Sequence, residues 1–244
     1  MSVGTPSTNA FAERLENVRS RIRACARRCN RSSDEITLVA VSKTHPAEEI
    51  REAISLGLID FGENRVQEAE GKIPIVGQDA AHWHLIGHLQ SNKARKAVEL
   101  FDVIHSLDSV ALAQRFDRIC IELDRATLPV LIQVDLGHET TKTGIDEKDL
   151  NGLVAAVTES ERLELRGLMT LPPFFDEAEK ARPYFQRLRE VRDELQTQRV
   201  FGDRAGDLSM GMTHDYEIAI EEGATIVRIG TAIFGARNQL KTEN

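Results

Sequence analysis

Positive charge is in short supply in this chain: 31 Lys and Arg stand against 39 Asp and Glu, for a formal net charge of −8. That balance argues against a general nucleic-acid or membrane-surface binder, since both roles draw on a basic face. Cysteine is scarcer still, at three in 244 residues. Cys25, Cys29 and Cys120 are too few and too scattered for a disulfide framework or a zinc site. Cys25 and Cys29 fall four apart in an Arg-rich helical stretch, where packing accounts for them, and free thiols suit a cytoplasmic setting. No window approaches 18 uninterrupted apolar residues, so no membrane span is readable. The opening "MSVGTPSTNA" lacks the basic start and apolar core of a signal peptide, and residues 1–8 read as a mobile lead-in. No Walker phosphate loop, Gly-x-Gly-x-x-Gly, Gly-x-Ser-x-Gly or His-Glu-x-x-His is present.

What is there describes a soluble globular protein: 41% of the residues are apolar and 29% charged. The length fits one α/β barrel with a full core. Residues 9–29 carry Phe11, Leu15, Val18, Ile22 and Ala26 at helical spacing, which predicts a long amphipathic helix. The basic run "RSRIRACARR" within it reads as a solvated face. Eight β-rich runs follow, at 36–42, 58–61, 83–87, 102–106, 129–135, 164–170, 207–211 and 225–229, each separated by a helical stretch. An open α/β sheet uses the same alternation. Right-handed crossovers and eight units favour a single closed (β/α)8 TIM barrel over residues 9–237, with an extra N-terminal helix outside it and a tail at 238–244.

A barrel gathers its functional side chains past the carboxyl ends of the strands. The first strand, "ITLVAVS", delivers Lys43 there. Alternation puts Thr37, Val39, Val41 and Lys43 on one face, toward the barrel axis. Two readings stand for Lys43: a strand-end lysine in water, or a desolvated amine whose lowered pKa makes it a Schiff-base nucleophile. The last strand adds Arg228, an arginine inside an apolar run, where an interior guanidinium requires a partner. Gly230 and Thr231 then open a short helical turn, the usual seat of a phosphate in barrels, and Ser209 offers a further donor from the neighbouring strand. An amine, a phosphate cradle and an arginine describe a cofactor with an aldehyde at one end and a phosphate at the other. Pyridoxal 5′-phosphate (PLP) fits that description. An arginine beside its ring nitrogen would hold the pyridine unprotonated, weakening it as an electron sink.

The segments "VAVSKTHP", "FGENRVQE", "HWHLIGHLQSNK", "LSMGMTHDYEIAI" and "VRIGTAIFGAR" together resemble the YggS/PROSC family of pyridoxal-phosphate homeostasis proteins, in order from about residue 10 to residue 237. The resemblance implies a single barrel related to the N-terminal domain of alanine racemase, with the cofactor held as an internal aldimine. Carried over by position, Lys43 is the Schiff-base lysine, Arg228 faces the pyridine nitrogen, Ser209, Gly230 and Thr231 hold the phosphate, and Asn64 lies beside the cofactor. Thr213 and His214 depart from the common pattern of the family. Asp215 keeps its aspartate, with helix capping as the expected role. In "TTKTGID", Lys142 either reaches the pocket mouth or is a solvated loop lysine.

Rival constellations are weaker. His82 and His84 resemble a metal-hydrolase His-x-His, but they sit at the start of their strand, at the opposite mouth. His88 stands alone at the correct end, either lining the pocket or bonding a loop. Two function classes remain open: a carrier that holds PLP and passes it to apo-enzymes, and a small racemase or other Schiff-base enzyme. Alanine racemase draws a second acid/base tyrosine from an additional domain, which this chain is expected to lack. Tyr184 and Tyr216 fall in predicted helices. The expected protein is therefore a non-catalytic PLP carrier in the cytoplasm, with no metal, nucleic-acid or membrane partner, as a monomer or a homodimer.

Overall fold

Parallel strands and helices alternate along the whole of the computed structural model, which describes residues 8–137 and 143–235. The strands are β1 (Thr37–Val41), β2 (Asp60–Glu63), β3 (His82–Leu85), β4 (Val103–Leu107), β5 (Leu128–Asp135), β6 (Ile145–Asp146), β7 (Leu163–Met169), β8 (Asp207–Ser209) and β9 (Ile226–Ile229). Helix α1 (Thr8–Arg28) precedes them. Between and after them run α2 (Ala47–Ser55), α3 (Val66–Val76), α4 (Ala94–Leu100), α5 (Val110–Glu122), α6 (Leu150–Thr158), α7 (Arg182–Thr197), α8 (Tyr216–Glu221) and α9 (Thr231–Phe234). The order β4-β3-β2-β1-β9-β8-β7-β5 closes on itself through β4–β5, so eight strands make a parallel ring. This is the expected TIM barrel.

Two details differ from expectation. The two-residue β6 pairs with β5 outside the ring, at Val134↔Ile145. Strand β2 runs to Glu63, whereas the sequence predicts its end at Phe61. Gly62 and Glu63 look like loop residues, yet each is buried. Gly62 faces the crowded interior, where a Cβ would come within 2.9 Å of both Val39 and Ile86.

Side-chain alternation sorts the core into two layers. Ala40, Phe61, Trp83, Ile104, Ile132, Leu168 and Val227 point outward and pack with the helices. Val39, Leu131, Met169 and Ile226 form a small separate apolar cluster. Beside it the interior holds buried polar groups, among them His84, His105, Ser209 and Arg228, and that is where the site begins.

Helix α1 buries Phe11, Leu15, Val18, Ile22, Cys25 and Ala26, the stripe its spacing predicts. Much of its basic run is solvated as expected, with the Arg21 and Arg28 side chains more than half exposed, and several arginines of the helix also bond neighbouring elements. Arg14 donates to Ile233 O at 2.8 Å, and Arg19 to Leu56 O and Gly57 O at 3.0 and 2.9 Å. Arg21 and Arg28 pair with Glu217. These bonds fasten α1 across α8 and α9. Cys25 is buried there too, and burial pushes its thiol up to about 11, which leaves an inert packing group.

Candidate functional site

Lys43 lies in a turn closed by His45 N donating to Ser42 O at 3.0 Å. Thr44, the third residue of that turn, has φ +67°, a conformation that turns normally reserve for glycine and that a β-branched residue adopts at a cost. The surroundings impose it. Thr44 N donates to Glu68 Oε2 at 3.0 Å, and Ser42 Oγ donates to Glu63 Oε1 at 2.7 Å. Lys72 Nζ ties these together, at 2.9 Å from Ser42 O, 2.9 Å from Glu63 Oε1 and 3.3 Å from Glu68 Oε2. Glu63 is fully buried; burial pushes its carboxyl up, and Lys72 opposes that. On the other side, the His45 ring stacks on Phe234 at 4.6 Å. The half-buried Lys43 is thus carried on a turn clamped at both ends.

Strand pairing brings the chain's far end to the same place. Ala40 is in register with Ile229, so Gly230 stands against Val41, whose carbonyl oxygen would lie 3.3 Å from a Cβ added to Gly230. Helix α9 starts at Thr231, and the first turn of a helix presents N–H groups with no partner inside the helix. Thr231 Oγ1 donates to Thr213 Oγ1 at 3.3 Å, so two threonines border this backbone. Thr213 is a residue the sequence does not assign to the site. The only signal is its position in "SMGMT", where the family commonly carries a serine.

Arg228 is buried to 2% exposure within β9. Its Nη1 donates to Ser209 Oγ at 2.5 Å and its Nη2 to Thr170 O at 2.9 Å. These bonds use two of the five N–H groups of a guanidinium, and neither acceptor is a carboxylate. Burial lowers Arg228 to about 10, with Asp215 pulling the other way. A buried cation held only by a hydroxyl and a carbonyl is suited to a further acceptor supplied by a ligand. Ser209 is fully buried and engaged with Arg228 on one side and His105 on the other. Its place is therefore beneath the arginine, and the expected phosphate role has no free hydroxyl to rest on. Asp215 does not cap α8 as expected; its Oδ1 accepts from Met212 N at 2.6 Å and closes the preceding turn.

Asn64 lies just past β2, half-buried, with Gly87 pressed against it: a Cβ there would sit 2.3 Å from Asn64 O. His88 is at 3.2 Å from Asp108 and half-exposed, a loop contact. Thr143 receives the Gln133 side-chain amide, while Lys142 lies outside the described residues. The site thus joins Lys43, Arg228, Gly230, Thr231 and Thr213 around the neighbouring strands β1, β9 and β8, with Asn64 at its edge. It offers an amine, backbone and hydroxyl donors, and a guanidinium with donors unused. That set suits an anionic ligand bearing a carbonyl and a neutral acceptor.

Residues 14–238 match the family described as "Alanine racemase, N-terminal domain". The chain belongs to that family. It is 46% identical over 237 residues to the pyridoxal phosphate homeostasis protein of Escherichia coli (strain K12), covering 96% of this chain and 99% of that protein. The protein of the same name from Aquifex aeolicus (strain VF5) is 44% identical over 225 residues, covering 92% and 97%. Among solved structures, PipY of Synechococcus elongatus PCC7942 with PLP bound superposes with a TM-score of 0.80 at 42% identity, covering 92% of this chain and 100% of that one. Alanine racemase of Corynebacterium glutamicum, at 18% identity, a TM-score of 0.62 and 63% of its length covered, shares the fold. These results agree with the resemblance read from the sequence motifs.

Within this family barrel, both tyrosines lie in helices, as the sequence predicts. Tyr216 is buried against α1, its hydroxyl without a partner and Arg21 at 5.6 Å from its ring. Tyr184 packs beside Phe175 from α7. His82 and His84 divide: His82 is exposed at the amino-terminal mouth, while His84 turns inside to His105 and Asp60. Among the described residues no group of three or more His, Cys, Asp or Glu is arranged to hold a metal ion.

Proposed function

We propose that this protein binds pyridoxal 5′-phosphate and serves its homeostasis. The carrying observation is the union of the clamped Lys43 turn, the buried Arg228 and the Gly230–Thr231 backbone on adjacent strands β1 and β9. The cofactor supplies an electrophilic aldehyde that an amine can hold reversibly. Lys43 is the amine for that end. Gly230, Thr231 and Thr213 hold the phosphate through N–H and hydroxyl groups. Arg228 donates to the ring nitrogen, Ser209 supports Arg228 from behind, and Asn64 borders the ring. An arginine in that position keeps the ring nitrogen an acceptor and disfavours carbanion chemistry.

The role is that of a carrier in the cytoplasm, with apo-enzymes as recipients, and not that of a racemase. Two features support this: neither tyrosine is at the strand ends, and the groups around Lys43 are engaged in holding its turn. Borohydride reduction of the loaded protein, followed by peptide mapping, tests the reading. The label is expected on Lys43; a label on another lysine overturns the assignment. Incubation with D- or L-alanine should give negligible racemisation, and brisk turnover would overturn the carrier role.

A further inference from the structure

Five side chains form one continuous hydrogen-bonded chain through the barrel interior. Asp60 Oδ1 is 3.1 Å from His84 Nε2, and His84 Nδ1 is 2.9 Å from His105 Nε2. His105 Nδ1 is 2.9 Å from Ser209 Oγ, which receives Arg228 Nη1 at 2.5 Å. His84, His105, Ser209 and Arg228 are all buried, and the chain reaches solvent through Asp60, which with the edge of His84 lines a cleft of about 390 Å³ at the amino-terminal mouth. His82, Asp102, Arg166 and Asp207 border the same cleft.

With one proton on each ring, the direction of every bond is fixed. A carboxylate accepts only, so His84 donates from Nε2 and is left to accept at Nδ1. His105 must then donate from Nε2 and accept at Nδ1, so Ser209 donates its hydroxyl proton to His105. The lone pair of Ser209 then faces Arg228. Burial foremost, with the neighbouring His84 ring and the Arg228 guanidinium adding to it, holds His105 well below the usual imidazole range, consistent with a neutral His105 ring. The chain therefore runs from a cation at one end to an anion at the other, with three neutral groups between them.

We infer that Asp60 is a positioning residue for Arg228, acting through His84, His105 and Ser209 to balance and orient the buried guanidinium from the opposite mouth of the barrel. A carboxylate placed directly against Arg228 would occupy the donors that a ligand must use. Compensation relayed across the barrel holds the side chain and leaves those donors open. The ligand named here is PLP, so the affinity part of the test rests on the proposed function; the tautomer part does not.

The experiment is nitrogen-15 NMR of the histidine rings in the ligand-free protein, followed by PLP titration of variants. His84 and His105 should both be Nε2–H tautomers with single protons at pH 7. An Nδ1–H tautomer at either ring, or a second proton on His84, overturns the inference whether or not the protein binds PLP. Asp60→Asn, which can donate as well as accept, should mix the tautomers and weaken PLP binding about tenfold, the scale of a charge-assisted hydrogen bond. His105→Leu should weaken it at least as much, and His105→Gln, which carries a donor and an acceptor, should restore most of it. Unchanged affinity and an unshifted visible absorption band in Asp60→Asn would overturn the relay. If the wild type takes up no PLP, the functional proposal fails while the tautomers still decide the chain.

Discussion

Lys43 and Arg228 occupy neighbouring strands, and their supports have little in common. The turn bearing Lys43 is fastened from outside the ring by charges: Glu63, Lys72 and Glu68 grip the residues on either side of it. Arg228 is held from inside the ring by neutral groups, a serine and a backbone carbonyl. The difference suits the roles proposed for the two residues. A lysine that joins and leaves an aldehyde needs a fixed base and a side chain of its own to move. An arginine that recognises a ring needs a fixed head, with donors not consumed by an ion pair.

Breaking the outer support should have the largest effect on stability. Glu63→Ala takes from Lys72, only 13% exposed, the nearer of its two carboxylates, and from Ser42 Oγ its acceptor. The lost buried hydrogen bonds cost about 2 kcal/mol, read as a fall in the urea midpoint, and labelling at Lys43 should slow with it. Arg228→Ala should act on the other side of the comparison. It removes a buried cation, so the ligand-free protein should lose less stability than Glu63→Ala does, while PLP affinity falls by roughly ten- to a hundred-fold. A variant pair in which both changes cost stability equally and spare affinity would dissolve the distinction. Lys142→Ala should weaken binding less than Arg228→Ala.

The inner support also predicts a pH dependence. An unfolded His105 titrates near the ordinary imidazole value of 6.5, while the folded ring stays neutral well below it. Below that pH the unfolded chain binds the extra proton, so this contribution is complete above about pH 6.5 and declines as pH falls toward the folded pKa. The slope is at most about 1.4 kcal/mol per pH unit. Urea titrations at pH 7 and pH 5 should show that loss, and His105→Gln should lack it. The smallest effect is expected from Thr213→Ala, which removes one neutral hydroxyl from the cradle. PLP affinity should drop about two- to ten-fold with stability unchanged, as measured by titration and melting.

The barrel is legible in the sequence because its alternation of β-rich runs and helical stripes is a local signal. Lys43, Arg228, Gly230 and Thr231 are legible because each breaks a local pattern at a strand's carboxyl end. What escapes is pairing across the ring. Glu63 reads as a loop residue until Lys72, on the following helix, is seen to neutralise it. His105 reads as one histidine in a strand; its meaning comes from His84 on one neighbour and Ser209 across the interior. Ser209 shows the same limit: its strand-end position is visible in the sequence, but the partners of its hydroxyl, Arg228 and His105, are not. The exposure of the α1 arginines is legible in the sequence, but their partners are not, because these are backbone carbonyls and acids roughly forty to two hundred residues away.

Those distant acceptors bear on how the molecule comes into being. Helix α1 is made some two hundred residues before α9, yet Phe11 packs edge-on against Phe234 and Arg14 bonds Ile233 O. Lys43 likewise waits for Phe234 and Gly230 to complete its surroundings. Until α9 is made, the growing chain therefore carries an apolar helix and an unfinished pocket, and contacts spanning such separations close slowly. A product cut short after Glu222 would show a greasy stripe and no cradle, and the cell's proteases would meet it before any vitamin did.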